Sequence, residues 1–320
     1  MQTPPLNLSV TDPLSRALDR VKLVLFQPFD LGKWFVIGFC AWLAFLGEGG
    51  GGFHANFPFN WSDHRGRRLD REFEQVRDYV MSNLHWIVPL VVTLVVLGLV
   101  LGLVITWLSS RGRFMFLHCV ALNRAQVADP WWRYAREGNS LFLFRLVMGV
   151  VCLIVTLPLV VVGIGIGWRM FNHGRPHFGG VLELMGLGLI LLVLAMVFAL
   201  IGKLTRDFVV PLMYLRQQGT CACWKELLRL LAAYAGDFIL WLLFQIVLAI
   251  AIGLLIFAVV IVTCCCAGCL MSIPYLGTVL LLPVLVFNRA YALHYLAQFG
   301  PTYDVFTPPA SAAPTGGAPA

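Results

Sequence analysis

Six stretches of this chain run on in Leu, Val, Ile, Ala, Phe and Gly with scarcely a charge: Leu31–Gly47, Trp86–Leu108, Leu141–Gly167, Val181–Gly202, Phe238–Val262 and Leu270–Phe287. Such runs constrain a fold more than any other sequence feature. Hydrocarbon offers the backbone no hydrogen-bonding partner, and a helix needs about 20 predominantly apolar residues to cross it. The sequence therefore predicts an all-α integral membrane protein of six transmembrane helices, arranged as three hairpins. The first run is the shortest and contains Lys33. We read it as a span with its lysine reaching back to the surface, the alternative being a re-entrant segment.

Composition agrees: 59% hydrophobic and 12% charged residues lie far from the soluble averages of about 45–50% and about 25%. With six spans both ends share one side. The connections on that side hold 15 of the 23 Lys and Arg residues, against seven on the other. The excess of basic residues on cytoplasmic loops then places both termini in the cytoplasm. The net charge of +7 is spread over the ends of spans rather than gathered on one domain, which argues against nucleic acid and for anionic headgroups as partners. About 30 residues precede the first apolar run, and they do not read as a cleavable signal.

Each hairpin is expected to follow a cytoplasmic-side amphipathic helix. Asp12-Pro13 starts one, with Leu14, Leu18, Val21 and Leu25 on its apolar side. The connection from Leu200 to Asp237 carries Arg206, Asp207, Arg216, Lys225, Glu226 and Arg229 against Phe208, Leu212, Leu215, Leu227, Leu228 and Leu231. Arg16, Arg113 and Arg206 each stand 18 residues before a tryptophan, at Trp34, Trp131 and Trp224, a faint threefold repeat. The organisation expected is a disordered terminus over 1–10, one membrane domain over 11–300 with an extracytoplasmic loop at 48–85, and a disordered tail over 301–320 rich in Pro, Ala and Gly.

The motifs SRGRFMF at Ser110–Phe116, PWWRY at Pro130–Tyr134, GNSLFLFRL at Gly138–Leu146, RDFVVPLMYLR at Arg206–Arg216 and the stretch Ile273–Pro301 resemble a family of uncharacterised bacterial integral membrane proteins. That family is similar in plan to the membrane domain fused to some glycerophosphoryl diester phosphodiesterases. The resemblance implies a six-span protein of the bacterial inner membrane. It brings no catalytic residues, because the phosphodiesterase barrel and its acidic metal ligands are absent from this sequence.

Few residue groups point to chemistry. Arg113, Arg206 and Arg289 each fall at the inner end of an even-numbered run and are candidates to converge on a lipid phosphate as charge-assisted donors. Glu183, near the outer end of the fourth run, is a candidate intramembrane polar site, unless it simply reaches the surface. Cys264, Cys265, Cys266 and Cys269 form a thiol cluster, read as small residues in a tight helix turn, with an outer-face disulfide or a metal as alternatives. His173 and His177 are four apart, but Gly174 and Pro176 spoil the helix that would align them. No nucleophile elbow, phosphate loop or paired acidic motif occurs, and no cofactor is expected. The function this supports is a non-enzymatic membrane organiser that binds lipids or a partner, another protein or a second copy of itself. The alternative is a transporter or lipid flippase, suggested by the repeat, by Pro89, Pro158, Pro211 and Pro283 as helix breaks, and by Glu183.

Overall fold

The computed structural model describes residues 8–47, 82–172, 178–263, 266–271 and 273–306, and every regular element among them is helical. Helix α1 (Asp12–Val21) runs into a π-helical turn at Lys22–Phe26, and α2 (Leu31–Phe45) follows. Next come α3 (Leu84–Leu122), α4 (Ala128–Arg133) and α5 (Ala135–Asn172). Helix α6 (Phe178–Leu204) continues through a second π-helical turn, Thr205–Val209, into α7 (Val210–Arg216). The remainder is α8 (Thr220–Ala233), α9 (Ala235–Val262), α10 (Cys266–Met271), α11 (Pro274–Leu280), α12 (Leu282–Ala297) and a 3-10 turn at Pro301–Tyr303.

Among the described residues, four helical stretches are long and apolar enough to cross a membrane: His85–Leu122, Ala135–Met170, Gly179–Arg216 and Ala235–Val262. They contain the four central runs of the sequence. The two flanking runs differ from expectation. Helix α2 has 15 residues, roughly 22 Å of rise, short of a hydrocarbon layer about 30 Å thick. The last run, expected as one span over Leu270–Phe287, is divided among α10, α11 and α12. Proline explains the breaks. Pro274 and Pro283 each lie in the first turn of a new helix, where a missing N–H costs nothing, whereas inside a helix each would remove a bond and clash with the preceding turn. Pro89 and Pro158, by contrast, lie within α3 and α5 without ending them.

Burial divides the molecule into two zones. Along the outer lengths of α3, α5, α6 and α9, large apolar side chains such as Leu99, Ile154, Leu192 and Leu254 are exposed, which suits a surface solvated by lipid. At the other end the connecting segments fold into a core. Phe114, Leu117, Phe208, Leu212, Leu227, Trp241, Tyr291 and Tyr295 are fully buried there. The segments expected to lie flat on a membrane surface thus bury Phe208, Leu212 and Leu227 within protein. On α1 it is Ala17 and Val21 that are buried, while Leu18 is exposed.

Specific contacts fix this inner core. Helices α2 and α3 cross in backbone contact at Gly112, where a Cβ would stand 2.7 Å from the Ala44 nitrogen and the Leu43 carbonyl carbon. Asp30 caps α2 by accepting from the Gly32 amide at 2.8 Å, satisfying an orphan donor. The Arg20 side chain donates to the carbonyls of Val120, at 3.0 and 2.9 Å, and of Ala121 at the C-terminus of α3. The two ends of the described chain also meet. The Ser9 amide donates to Gln298 Oε1 and Gln298 Nε2 donates to the Ser9 carbonyl, both at 2.8 Å, and Tyr291 donates to the Val10 carbonyl at 3.0 Å. Beyond residue 300, Phe306 stacks on His294 with ring centres 4.3 Å apart. The expected outer loop, 48–85, falls largely outside the described residues, as does the tail from 307.

Candidate functional site

Where α6 passes through the π-helical turn Thr205–Val209, the widened helix carries Arg206 and Asp207 side by side. Such turns are frequent at functional sites. Lys203, one turn earlier, places Nζ 3.0 Å from Asp207 Oδ2, and Arg206 Nε lies 3.5 Å from Asp207 Oδ1. Arg289 arrives from α12 and donates through Nη1 to the Arg206 carbonyl at 2.5 Å. Arg113 comes from the inner part of α3. It feels the positive charges of Arg145, Arg206 and Arg289, offset by Asp207.

These groups line one cavity of about 740 Å³, together with Gln245 and Asn288. Its far wall is apolar. Leu242, Ile246, Ala249, Ile250, Gly253 and Ile256 recur at helical spacing along a single face of α9. The cavity is therefore amphipathic: a cationic end held by buried guanidinium groups, and a strip of aliphatic surface leading away from it. Arg113 and Arg289 are only 5% and 7% exposed. Burial pushes the Arg289 guanidinium down to about 10, against the pull of Asp207, so it stays protonated at neutral pH. Its Nε and Nη2 have no hydrogen-bond partner among the described residues. Arg145, behind this cluster, donates to Ser109 Oγ at 3.1 Å and Ser110 Oγ at 3.3 Å. Lys203 and Arg206 also lie against the rings of Trp241 and Phe45, at 5.2 and 5.9 Å.

Of the candidates read from the sequence, the three arginines Arg113, Arg206 and Arg289 come together. The others stay apart. Glu183 lies exposed near the start of α6, away from the cavity. Cys266 and Cys269 fall on the short helix α10, and Cys264 and Cys265 lie outside the described residues, as do His173 and His177. Among the described residues, His, Cys, Asp and Glu form no group of three able to hold a metal ion. Sequence reasoning missed Lys203, Asp207, Gln245 and Asn288 as groups that line the cavity with the arginines. Gln245 carried a readable signal, since an amide in the middle of a run that could cross a membrane needs a polar surrounding.

These features define a class: a helical, membrane-embedded protein with a cationic cavity at one end of its long apolar helices. The chain belongs to a family of unknown function, DUF7544, which matches residues 8–282. Arg113 and Arg206 lie within that match and Arg289 beyond it. Nothing links the family to the membrane domains of glycerophosphoryl diester phosphodiesterases. No curated protein and no solved structure matches the chain.

Proposed function

We propose that this chain is a multi-pass, non-enzymatic protein of the bacterial plasma membrane, with both ends cytoplasmic, that binds anionic lipid in the Arg113–Arg206–Arg289 cavity and organises lipid or partner proteins around itself. One observation carries the reading: the cationic end and the aliphatic strip belong to the same cavity, which is the layout of a headgroup with its chain. From Leu242 to Ile256 the strip covers about 21 Å of helix, more than half of a hydrocarbon layer about 30 Å thick. A free ion would use only the cationic end. The clasp between Ser9 and Gln298 supports an even number of crossings, because it holds segments before the first apolar run and after the last one together.

Lipid extracted from the purified protein tests this. The wild type should retain anionic lipid near one per chain, and Arg113→Gln with Arg206→Gln should deplete it severalfold while the protein remains monodisperse. Equal retention by both would refute the reading. The length of the aliphatic strip also supports a second function, movement of lipid between leaflets. A vesicle assay with fluorescent lipid would show accelerated exchange in that case and none for an organiser.

A further inference from the structure

Two thiols meet where α2 crosses α3. Cys40 and Cys119, 79 positions apart in the chain, place their Sγ atoms 3.8 Å from one another, and both side chains are fully buried. The crossing around them is held on several sides. The helices touch backbone to backbone at Gly112, Arg20 clasps the carbonyl of Val120 next to Cys119, and Lys33 Nζ donates to Asn123 Oδ1 at 2.7 Å. The Cys119 sulfur also lies 3.5 Å from the Gln126 carbonyl. A buried cysteine on its own serves as a small apolar filler. Two in contact on separate helices have a reaction open to them as well.

A disulfide brings its sulfurs to about 2.05 Å, so the pair has roughly 1.8 Å to close from its separation of 3.8 Å, within the arc each sulfur sweeps by turning about its Cα–Cβ bond. Burial decides which oxidant can act. A charged, bulky disulfide such as oxidised glutathione has no path to two fully buried sulfurs, whereas a small uncharged hydroperoxide can enter an apolar interior during local opening. The chemistry then balances in two steps. One sulfur attacks a peroxide oxygen, the O–O bond breaks, and the leaving hydroxide takes the thiol proton as water, leaving a sulfenic acid. The second sulfur attacks the first, the S–O bond breaks, and the hydroxide leaves with the second thiol proton as another water. Two electrons pass from the dithiol to the peroxide.

We propose that Cys40 and Cys119 are a covalent modification site, oxidised by a small uncharged hydroperoxide to a disulfide that staples α2 to α3. In a reducing compartment the pair rests as the dithiol, and the bond is transient and reversible by thiols. Ala44 and Phe45, about one turn along α2 from Cys40, line the cavity, as do Arg113 and Phe116 of α3. The staple therefore holds one wall of the cavity in a single arrangement, whatever fills it.

The test is peptide mass spectrometry of the full wild-type chain in detergent, treated with hydrogen peroxide, blocked with N-ethylmaleimide and digested. A peptide from α2 should appear joined to one from α3 through Cys40 and Cys119, two hydrogens lighter than their sum, and dithiothreitol should separate them. The melting temperature should rise by about 5–10 °C on oxidation. Cys40→Ala should lose both the joined peptide and the rise. Oxidised glutathione should leave the pair reduced, and a glutathione adduct at either position would overturn the choice of oxidant. Exposed Cys221 is the internal control. Recovery of Cys40 and Cys119 as maleimide adducts under peroxide that oxidises Cys221 would overturn the proposal, as would sulfinic acid at either position in place of the bond.

Discussion

Phe208 occupies the centre of an aromatic cluster, 4.7 Å from Trp241, 5.3 Å from Phe238 and 6.1 Å from Tyr295 between ring centres. Tyr295 in turn donates to the Asp237 carbonyl at 3.0 Å, tying α12 to the start of α9. Removing the fully buried Phe208 ring therefore strips contacts from several elements at once. Phe208→Ala should cost about 3–5 kcal/mol in reversible unfolding from mixed micelles, whereas Leu99→Ala, on an exposed stretch of α3, should stay within about 0.5 kcal/mol. His294 gives a pH-dependent counterpart. Burial, with Arg16 and Arg20 nearby and only Asp304 opposing, holds its pKa down to about 4, below the ordinary histidine value of about 6.5. Folding thus favours the neutral ring, so this share of stability is whole above about pH 6.5 and is lost as pH falls towards 4. Melting temperature in detergent should decline across that window, and His294→Gln should flatten the decline. At this scale the sequence was most informative about the arginines. Residues that end apolar runs on the basic side have few places to go, and that placed Arg113, Arg206 and Arg289 at one level. Their convergence on Asp207 and Asn288 depends on the twist of α6 through its π-helical turn, which no spacing rule encodes.

Helices meet closely at Gly112, where glycine is required. Gly112 lets α3 press its backbone against Leu43 and Ala44 of α2, so Gly112→Val must push the helices apart and should lower stability by about 1–3 kcal/mol. Gly98 and Gly102, also on α3, have nothing within 4 Å of an added Cβ. Their replacement by Ala should be neutral, or stabilising by about 0.5–1 kcal/mol through helix propensity. Denaturation curves of the three variants decide between these expectations. The spacing of Gly98 and Gly102 resembles a helix-packing motif, yet the contact occurs at Gly112, beside the charged Arg111 and Arg113. Apolar length identified α3, α5, α6 and α9 from the sequence because length alone sets that property. It misjudged the last run, where two prolines outweigh continuous hydrophobicity, and it took faces such as Phe208, Leu212 and Leu227 for lipid contacts. Helical spacing reports that a face is apolar. It does not say whether lipid or another helix covers it.

For the whole molecule, the arrangement is a packed inner core from which four apolar helices project, with the amphipathic cavity at the junction. Both ends of the described chain join that core, and Val262, at the far end of α9, lies about 40 Å of helix away from Ala235. In a background with native cysteines replaced, Thr11→Cys and Thr302→Cys should react with a membrane-impermeant thiol reagent from the same side of a sealed vesicle, and Val262→Cys from the opposite side. Labelling of Thr11→Cys and Thr302→Cys from different sides would contradict the fold. The most direct test of the account is a density map of the wild-type protein in a nanodisc of its native lipids. It should show phosphate density within hydrogen-bonding reach of Arg289 Nε and Nη2, continuous with an acyl chain along the α9 face from Leu242 to Ile256. A cavity filled by protein side chains, or holding only disordered solvent under these conditions, would contradict it.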